Sequence, residues 1–526
     1  MGVRTGKQYV EALQARSKNM CVYLNGRRIE DVTQEPVFQG PIESIAELYD
    51  MQHDPAYKSI LTYPSPTTGD PVSTAYMIPR SREDLAKMQR SFKLRADQNF
   101  GVFGRAPDFL AAYITGMALN KELYGQIDPR YVDNMQAMYE RIREEDLYLT
   151  HVLVSPQVDR SKSSGQQADP FLHLGKVKET KEGIVVRGAK MVGTMAPITE
   201  MNLVNPFGGI APGEDMYALL FVVDNDAPGL KYFCRESISP ASRSRFDHPL
   251  SSRFEEMDCL AVFDDVLIPW ENILIDGRPG AGEIVNNSGR GGGPFPGLQG
   301  GMRTLALMEF YTGLAMKLAE TSGIDGFLHV QEKLGEMVGF LETQKALAYG
   351  SVAMSRPRAD GVWLPGPAGG RGATVQAAHN FRRMIEIIQI LVGGGFFSVP
   401  TEADVESAEI RPYLDKYLQG RGGVEAEERI RLVKLAWDAT GEGFAQRLLQ
   451  YVTFHSGDPI RLLAASYLGF NKKPLFDVVD RALGVGDDPS IPAPEDPFAI
   501  PSSARAPGLV ADVYPTASIP GASNRK

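Results

Sequence analysis

Apolar residues in the first part of this chain recur at three- and four-residue steps, as in Tyr9 and Leu13 and then Leu110, Tyr113, Ile114 and Met117. That period is helical and predicts an N-terminal helical domain over residues 1–147. Within it, Tyr63-Pro-Ser-Pro-Thr-Thr-Gly-Asp-Pro reads as a surface loop. Asp108, next to Pro107, reads as the cap of a helix beginning near Phe109. From about residue 148 to 275 the pattern changes. Gly183–Val192, Met216–Val223 and Leu230–Cys234 are rich in β-branched and aromatic residues and are bounded by Gly, Pro or Asp. Short strands without helices between them predict a middle antiparallel β-barrel domain over 148–275.

The polar run Phe246–Glu256 leads into Asp258–Ile273, where Leu260, Val262, Val266 and Ile268 alternate along a strand. Pro269 cannot donate to a ladder and ends it. Helical spacing returns in Leu305–Leu314, Leu334–Leu341, Met384–Leu391 and the run from Val424 to about Tyr451, predicting a C-terminal four-helix bundle within 276–484. The glycine-rich Asn286–Gly297 segment reads as a mobile loop before the first of these helices, next to the site. The Pro/Ser-rich residues 485–526 read as a tail that wraps a neighbour or stays disordered. The fold class expected is α+β.

Composition narrows the partners. A net charge of −10 leaves no basic surplus for nucleic acid or an anionic membrane. Cys21, Cys234 and Cys259 have no metal-ligand spacing, so no metal is expected, and a reducing cytoplasm is the simplest compartment. No apolar stretch is long enough to span a bilayer. No Gly-x-Gly-x-x-Gly follows a strand, which argues against an internal nicotinamide site.

Four short motifs carry chemistry. Gly104-Arg-Ala-Pro-Asp-Phe109 puts an arginine before a helix, which on its own is more often a surface ion pair. Leu149–Arg160 contains His151 and Pro156-Gln-Val-Asp-Arg160. Gly188–Pro197 contains Thr194, and Trp437–Arg447 opens a helical segment. In this order across three domains, these motifs and Asp258–Ile273 resemble the large oxygenase component of the 4-hydroxyphenylacetate 3-monooxygenase family, two-component flavin enzymes on an acyl-CoA-dehydrogenase-like scaffold.

The resemblance implies hydroxylation of a phenol ortho to its hydroxyl through a C4a-hydroperoxyflavin. The cofactor would be FAD used as FADH2, in preference to FMNH2, with O2 as co-substrate and a separate NAD(P)H:flavin reductase as partner. It also implies a homotetramer and a phenolic substrate, free or carrier-tethered. Arg105 and His151 are the implied catalytic residues. Arg105, Phe109, His151, Arg447, Leu449 and His455 are the implied substrate contacts, Phe109 standing where many relatives have tyrosine. His151, Val152, Leu153, Gln157, Val158, Asp159, Arg160, Thr194, Gly443, Phe444 and Ala445 are the implied flavin contacts. Gln299 stands where phenol-detoxifying relatives tend to have histidine, which weighs against dehalogenation or denitration.

The residue types suit the reaction. A phenol with a pKa near 10 costs roughly 4 kcal/mol to ionise at pH 7, and a fixed guanidinium offsets much of that. His151 would accept the proton. Alternatives on the same scaffold are an acyl-CoA-dehydrogenase-like oxidoreductase, for which no carboxylate base can be placed, and a halo- or nitrophenol monooxygenase. A non-catalytic flavin carrier has Phe109 as its only support. An iron–sulfur dehydratase is excluded by the lack of cysteines at the required positions.

Overall fold

The computed structural model describes residues 2–239, 244–288, 291–366 and 370–485. Helix α1 (Gly6–Ser17) buries Tyr9 and Leu13, and a capping box between Thr5 and Gln8 closes its first turn. Helices α2 (Pro36–Asp50), α3 (Arg82–Gln98), α4 (Pro107–Leu119) and α5 (Arg130–Glu145) follow. α4 starts two residues earlier than its spacing predicted, because Pro107 takes the first helical position. Asp108 therefore lies inside the helix and is buried rather than capping it, and its Oδ2 accepts from Gln299 Nε2 at 3.3 Å.

The N-terminal region is not wholly helical. β1 (Cys21–Leu24) and β2 (Arg27–Ile29) form a hairpin. Its turn, Asn25-Gly26, has both residues at positive φ, as a two-residue hairpin requires. The middle region adds β3 (Leu149–Val152), β4 (Gly175–Glu179), β5 (Gly183–Lys190), β6 (Met201–Val204), β7 (Leu219–Asp224), β8 (Leu230–Cys234), β9 (Cys259–Pro269) and β10 (Ile273–Asp276). One sheet runs β2-β1-β8-β9-β5-β4 and a second β10-β7-β6-β3. The expected antiparallel barrel is not confirmed: the ten strands named here fall into two sheets, and β1–β8 and β3–β6 pair in parallel.

β9 corrects a second expectation. Its buried residues are Cys259, Ala261 and Phe263, then Val266 and Ile268. A bulge between Phe263 and Val266, with Asp265 at φ +55°, switches the phase, so Leu260 and Val262 face away from the side that Val266 and Ile268 occupy. Cys234 and Cys259 are register partners on β8 and β9, and both are free thiols. Burial pushes both pKa values up, Cys234 to about 12, which keeps them protonated and unreactive.

Buried polar bonds sew the N-terminal segment to the sheets. Arg4 donates from both terminal nitrogens to Glu200 at 2.8 and 2.7 Å, and Glu200 Oε2 also accepts Tyr148 N–H at 2.9 Å. Tyr9 Oη donates to Ile198 O at 2.8 Å.

Helices α6 (Phe295–Ser322), α7 (Leu328–Ala353), α8 (Arg371–Val392), α9 (Ala426–Thr440), α10 (Gly443–Phe454), α11 (Pro459–Leu468) and α12 (Lys473–Leu483) make up the C-terminal region. The single fourth helix expected over 424–451 is split into α9 and α10. Glu442 is extended, and Gly441 packs so closely on the Trp437 ring that a Cβ would strike it. Both ends of the glycine-rich stretch are helical, and its residues 289–290 lie outside the described residues. Asn286–Ser288 close the helix Ala281–Ser288, and Phe295–Gly297 open α6. Gly292 lies against α4, where a Cβ on Gly116 would collide with Gly292 O and one on Gly292 would lie 2.7 Å from the Tyr113 ring. No helix among the described residues is long and apolar enough to cross a membrane. Residues 486–526, most of the expected tail, lie outside the described residues.

Candidate active site

The junction of α4, β3 and α10 gathers the polar groups. Arg105 precedes α4 and is held at both ends of its backbone. Its N–H donates to Glu256 Oε1 at 2.6 Å, and its carbonyl accepts Tyr148 Oη at 2.6 Å. The guanidinium lies 4.5 Å from the centroid of Phe109, one turn into the helix, and 5.2 Å from that of Tyr451 on α10. Nη1 donates to Tyr451 Oη at 2.7 Å, whereas Nε is buried without a protein partner. Gly104 is required here because any Cβ would strike the Tyr451 ring.

His151 on β3 meets the edge of Phe109 at 5.8 Å and of Tyr113 at 6.4 Å. Its Nδ1 is buried with no partner. Burial first, and then the Arg105 charge, push its pKa well below the ordinary histidine value, so the ring stays neutral. Asn205, just past β6, donates from Nδ2 to Tyr113 Oη at 3.4 Å, and its Oδ1 is also buried without a partner. Orphaned buried polar atoms on three elements are costly in a packed core and fit a polar ligand.

Arg447, one of the expected substrate contacts, is ion-paired to two carboxylates. Nε and Nη2 donate to the two carboxylate oxygens of Asp258 at 3.0 and 2.9 Å, and Nη1 pairs with Glu256. Buried Glu256 and largely buried Asp258 need a cation, and Arg447 is that cation. Arg105, by contrast, has no carboxylate partner for its guanidinium among the described residues. Leu449 is buried two residues on, about 200° around the helix from Arg447, so the two do not share a face. His455 does share it, stacking on Tyr451 at 4.7 Å.

The expected flavin contacts fall into three groups. Thr194 lies in the turn after β5, and its Oγ1 is 2.6 Å from Asp258 Oδ1. Gln157, Val158, Asp159 and Arg160 lie on the loop after Val152 and Leu153, with Val158 67% exposed. Gly443, Phe444 and Ala445 begin α10. The Phe444 and Ala445 side chains are buried, and the helix start has no side-chain cap, so its backbone N–H groups are what it can offer a phosphate.

Tyr451, Arg303, Tyr113, Asn205, Glu256 and Asp258 received no role from the sequence. Tyr451 had a signal, since it sits midway between Arg447 and His455 at four-residue steps. Arg303, on α6, is buried with its guanidinium 5.1 Å from the Tyr451 centroid, a contact no local motif announces.

The histidines make stability acid-sensitive. Burial, then Arg303 and Arg105, push His455 down to about 3. Below the unfolded value of about 6.5, the unfolded chain takes up a proton that the folded chain refuses. Stability should therefore fall as pH drops from about 6.5 toward 3, by about 1.4 kcal/mol per pH unit for each such histidine. Melting temperatures at pH 7 and pH 5 check this, and His455→Gln should show the smaller drop.

Residues 5–275 match the family described as 4-hydroxyphenylacetate 3-hydroxylase N terminal, and residues 294–484 match its C terminal part. The chain is 38% identical to the 4-hydroxyphenylacetate 3-monooxygenase oxygenase component of Thermus thermophilus, over 90% of this chain and 95% of that protein. It is 35% identical to a Streptomyces globisporus monooxygenase named for a (3S)-3-amino-3-(3-chloro-4-hydroxyphenyl)propanoyl group on a peptidyl-carrier protein, over 86% and 85%. A crystal structure of the oxygenase component of 4-hydroxyphenylacetate 3-monooxygenase, complexed with FAD and 4-hydroxyphenylacetate, superposes with a TM-score of 0.85. It is 37% identical and covers 91% of this chain and 98% of that one. With both parts matched in order along the chain, it belongs to the 4-hydroxyphenylacetate 3-hydroxylase family.

Proposed function

We propose that this chain is the oxygenase component of a two-component monooxygenase, which uses reduced FAD and O2 to hydroxylate a phenol ortho to its hydroxyl. The observation that carries the reading is Arg105, a buried guanidinium without a carboxylate, stacked on Phe109 and set beside a histidine held neutral. When bound, reduced flavin and oxygen supply the electrophilic oxygen atom. Arg105 stabilises the phenolate and so activates the ring carbon. Arg303, whose guanidinium also approaches the Tyr451 ring, adds to the positive field. His151 is read here as a hydrogen-bonding group rather than a proton acceptor. A ring whose pKa is pushed this low is a weak base, and it acts by orienting the phenol hydroxyl through a hydrogen bond.

Asn205, Tyr113 and the Gly292 segment close the side of the site next to α4 and exclude water, which would divert oxygen to hydrogen peroxide. Gly116→Ala should push that segment off α4 and raise the peroxide share of the oxygen consumed several-fold, with little change in flavin affinity. A peroxide assay beside product chromatography measures it.

The substrate class is a free phenolic acid or a carrier-tethered phenol, two of the kinds that the relatives' names describe beside 4-nitrophenol. Reduced flavin comes from a separate NAD(P)H-dependent reductase, and three free thiols suit a reducing cytoplasm. No side chain of α11 or α12 is buried, and Ile460, Leu463, Tyr467, Phe476, Val479 and Leu483 are exposed. A patch of this kind is normally covered by another copy, in keeping with a homotetramer.

The test supplies the purified chain with FAD, a flavin reductase, NADH and 4-hydroxyphenylacetate. Product carrying one added oxygen supports the reading, and peroxide alone with every phenol tried overturns it.

A further inference from the structure

Thr194 sits in a turn whose backbone is strained. Val192 and Met195, on either side, have φ of +61° and +65°, a region a β-branched residue rarely enters. The turn is pinned from three directions. Gly193 N–H donates to Cys259 O at 2.8 Å, Met195 N–H to Met257 O at 2.7 Å, and Thr150 Oγ1 to Thr194 O at 2.6 Å. The result is a hydroxyl aimed at one carboxylate, Asp258 Oδ1, at 2.6 Å.

Asp258 is held by two guanidiniums. Besides both bonds from Arg447, Arg235 Nε donates to Oδ2 at 3.3 Å. Burial alone would raise its pKa, but the Arg447 charge and hydrogen bonds, with Arg235, outweigh burial and hold the carboxyl far below its usual range. An ionised carboxylate only accepts. The hydrogen between the two oxygens therefore belongs to Thr194, which leaves Oγ1 with lone pairs alone. Among the described residues, no bond to Oγ1 from another donor is seen.

The central ring of a reduced flavin carries an N–H where the oxidised ring has a bare nitrogen. An oxygen that can only accept bonds the first and sets lone pair against lone pair with the second. We infer that the buried Asp258–Arg447–Arg235 cluster fixes Thr194 as a hydrogen-bond acceptor and thereby makes the flavin site select the reduced ring over the oxidised one. The inference rests on the flavin reading above. Thr194 is the contact, and Asp258 with its two arginines are positioning residues. Such a bias suits a protein that must capture reduced flavin in solution amid the oxidised form.

The experiment is a pair of equilibrium titrations of the full chain, with oxidised FAD and, under anaerobic conditions, with reduced FAD. The native chain should bind the reduced form about tenfold tighter or more. Thr194→Val should bring the two affinities within about threefold, chiefly by weakening the reduced form, and Thr194→Ser should keep the preference. Asp258→Asn, whose amide can donate to Thr194 and free its hydroxyl to turn, should narrow the gap by tightening the oxidised form. If that variant does not fold, the Thr194 pair decides. A preference that survives Thr194→Val, or a native chain with none, overturns this inference while leaving the flavin site in place. A native chain that binds neither form overturns the flavin reading as well.

Discussion

Arg105→Ala is expected to cut kcat/KM for ring hydroxylation by roughly 10²- to 10⁴-fold while leaving flavin affinity within about twofold. The size follows from the chemistry. Ionising a phenol at pH 7 costs roughly 4 kcal/mol, and no other guanidinium in the site is both buried beside Phe109 and free of a carboxylate. The split between the two measurements follows from the geometry. The backbone bonds to Glu256 and Tyr148 do not involve the side chain and survive its removal. Oxygen should still be consumed, now emerging as peroxide. Arg105→Lys should recover part of the rate, since it restores charge but not the stacked fork. Loss of flavin binding in Arg105→Ala would mean that the guanidinium serves the cofactor, not the phenol.

Glu200→Ala should lower stability by about 3–5 kcal/mol. Glu200 is 1% exposed and takes three bonds, two from Arg4 and one from Tyr148 N–H, so its loss strands a buried guanidinium and an amide together. Glu200→Gln keeps the hydrogen bonds in part and should cost less. Calorimetry gives the loss as a lower melting temperature, and limited proteolysis should show earlier cleavage ahead of α1. A melt unchanged by Glu200→Ala would mean that the bonds from Val3 to Pro71 and from Arg4 to Asp146 and Tyr49 suffice to hold the N-terminal segment.

The helices and most strands were legible because burial imposes a period. Tyr9 and Leu13 on α1, and Met384 through Leu391 on α8, repeat at helical spacing. The bulge in β9 was not, because an Asp-Asp pair within an alternating strand looks like two outward positions until the partner strand fixes the register. Asn25-Gly26 was a readable hairpin signal that a helical assignment of the whole N-terminal region passed over. At the site, Arg105, His151 and Phe109 could be placed by motif and do come together. Which of Arg105 and Arg447 is neutralised could not be read from sequence, since each on its own reads as an ion-pair partner. Only the approach of Asp258 and Glu256 from another part of the chain decides which guanidinium is neutralised. Arg303 and Asn205 were silent for the same reason, their roles being defined by neighbours far away in sequence.

The parallel pairing of β1 with β8 also has a kinetic side. Cys21 meets Lys231, so the partner leaves the ribosome roughly 200 residues later, about 10–40 s at ordinary synthesis rates. Throughout that interval the hairpin has a bare edge open to foreign strands. Exposed Arg27 and Arg28 put charge on β2, which discourages foreign pairing at the hairpin's other edge and leaves that of β1 without such a guard. A nascent chain stalled before residue 230 would hold this edge unpaired, and it is there that aggregation of incomplete chains should begin.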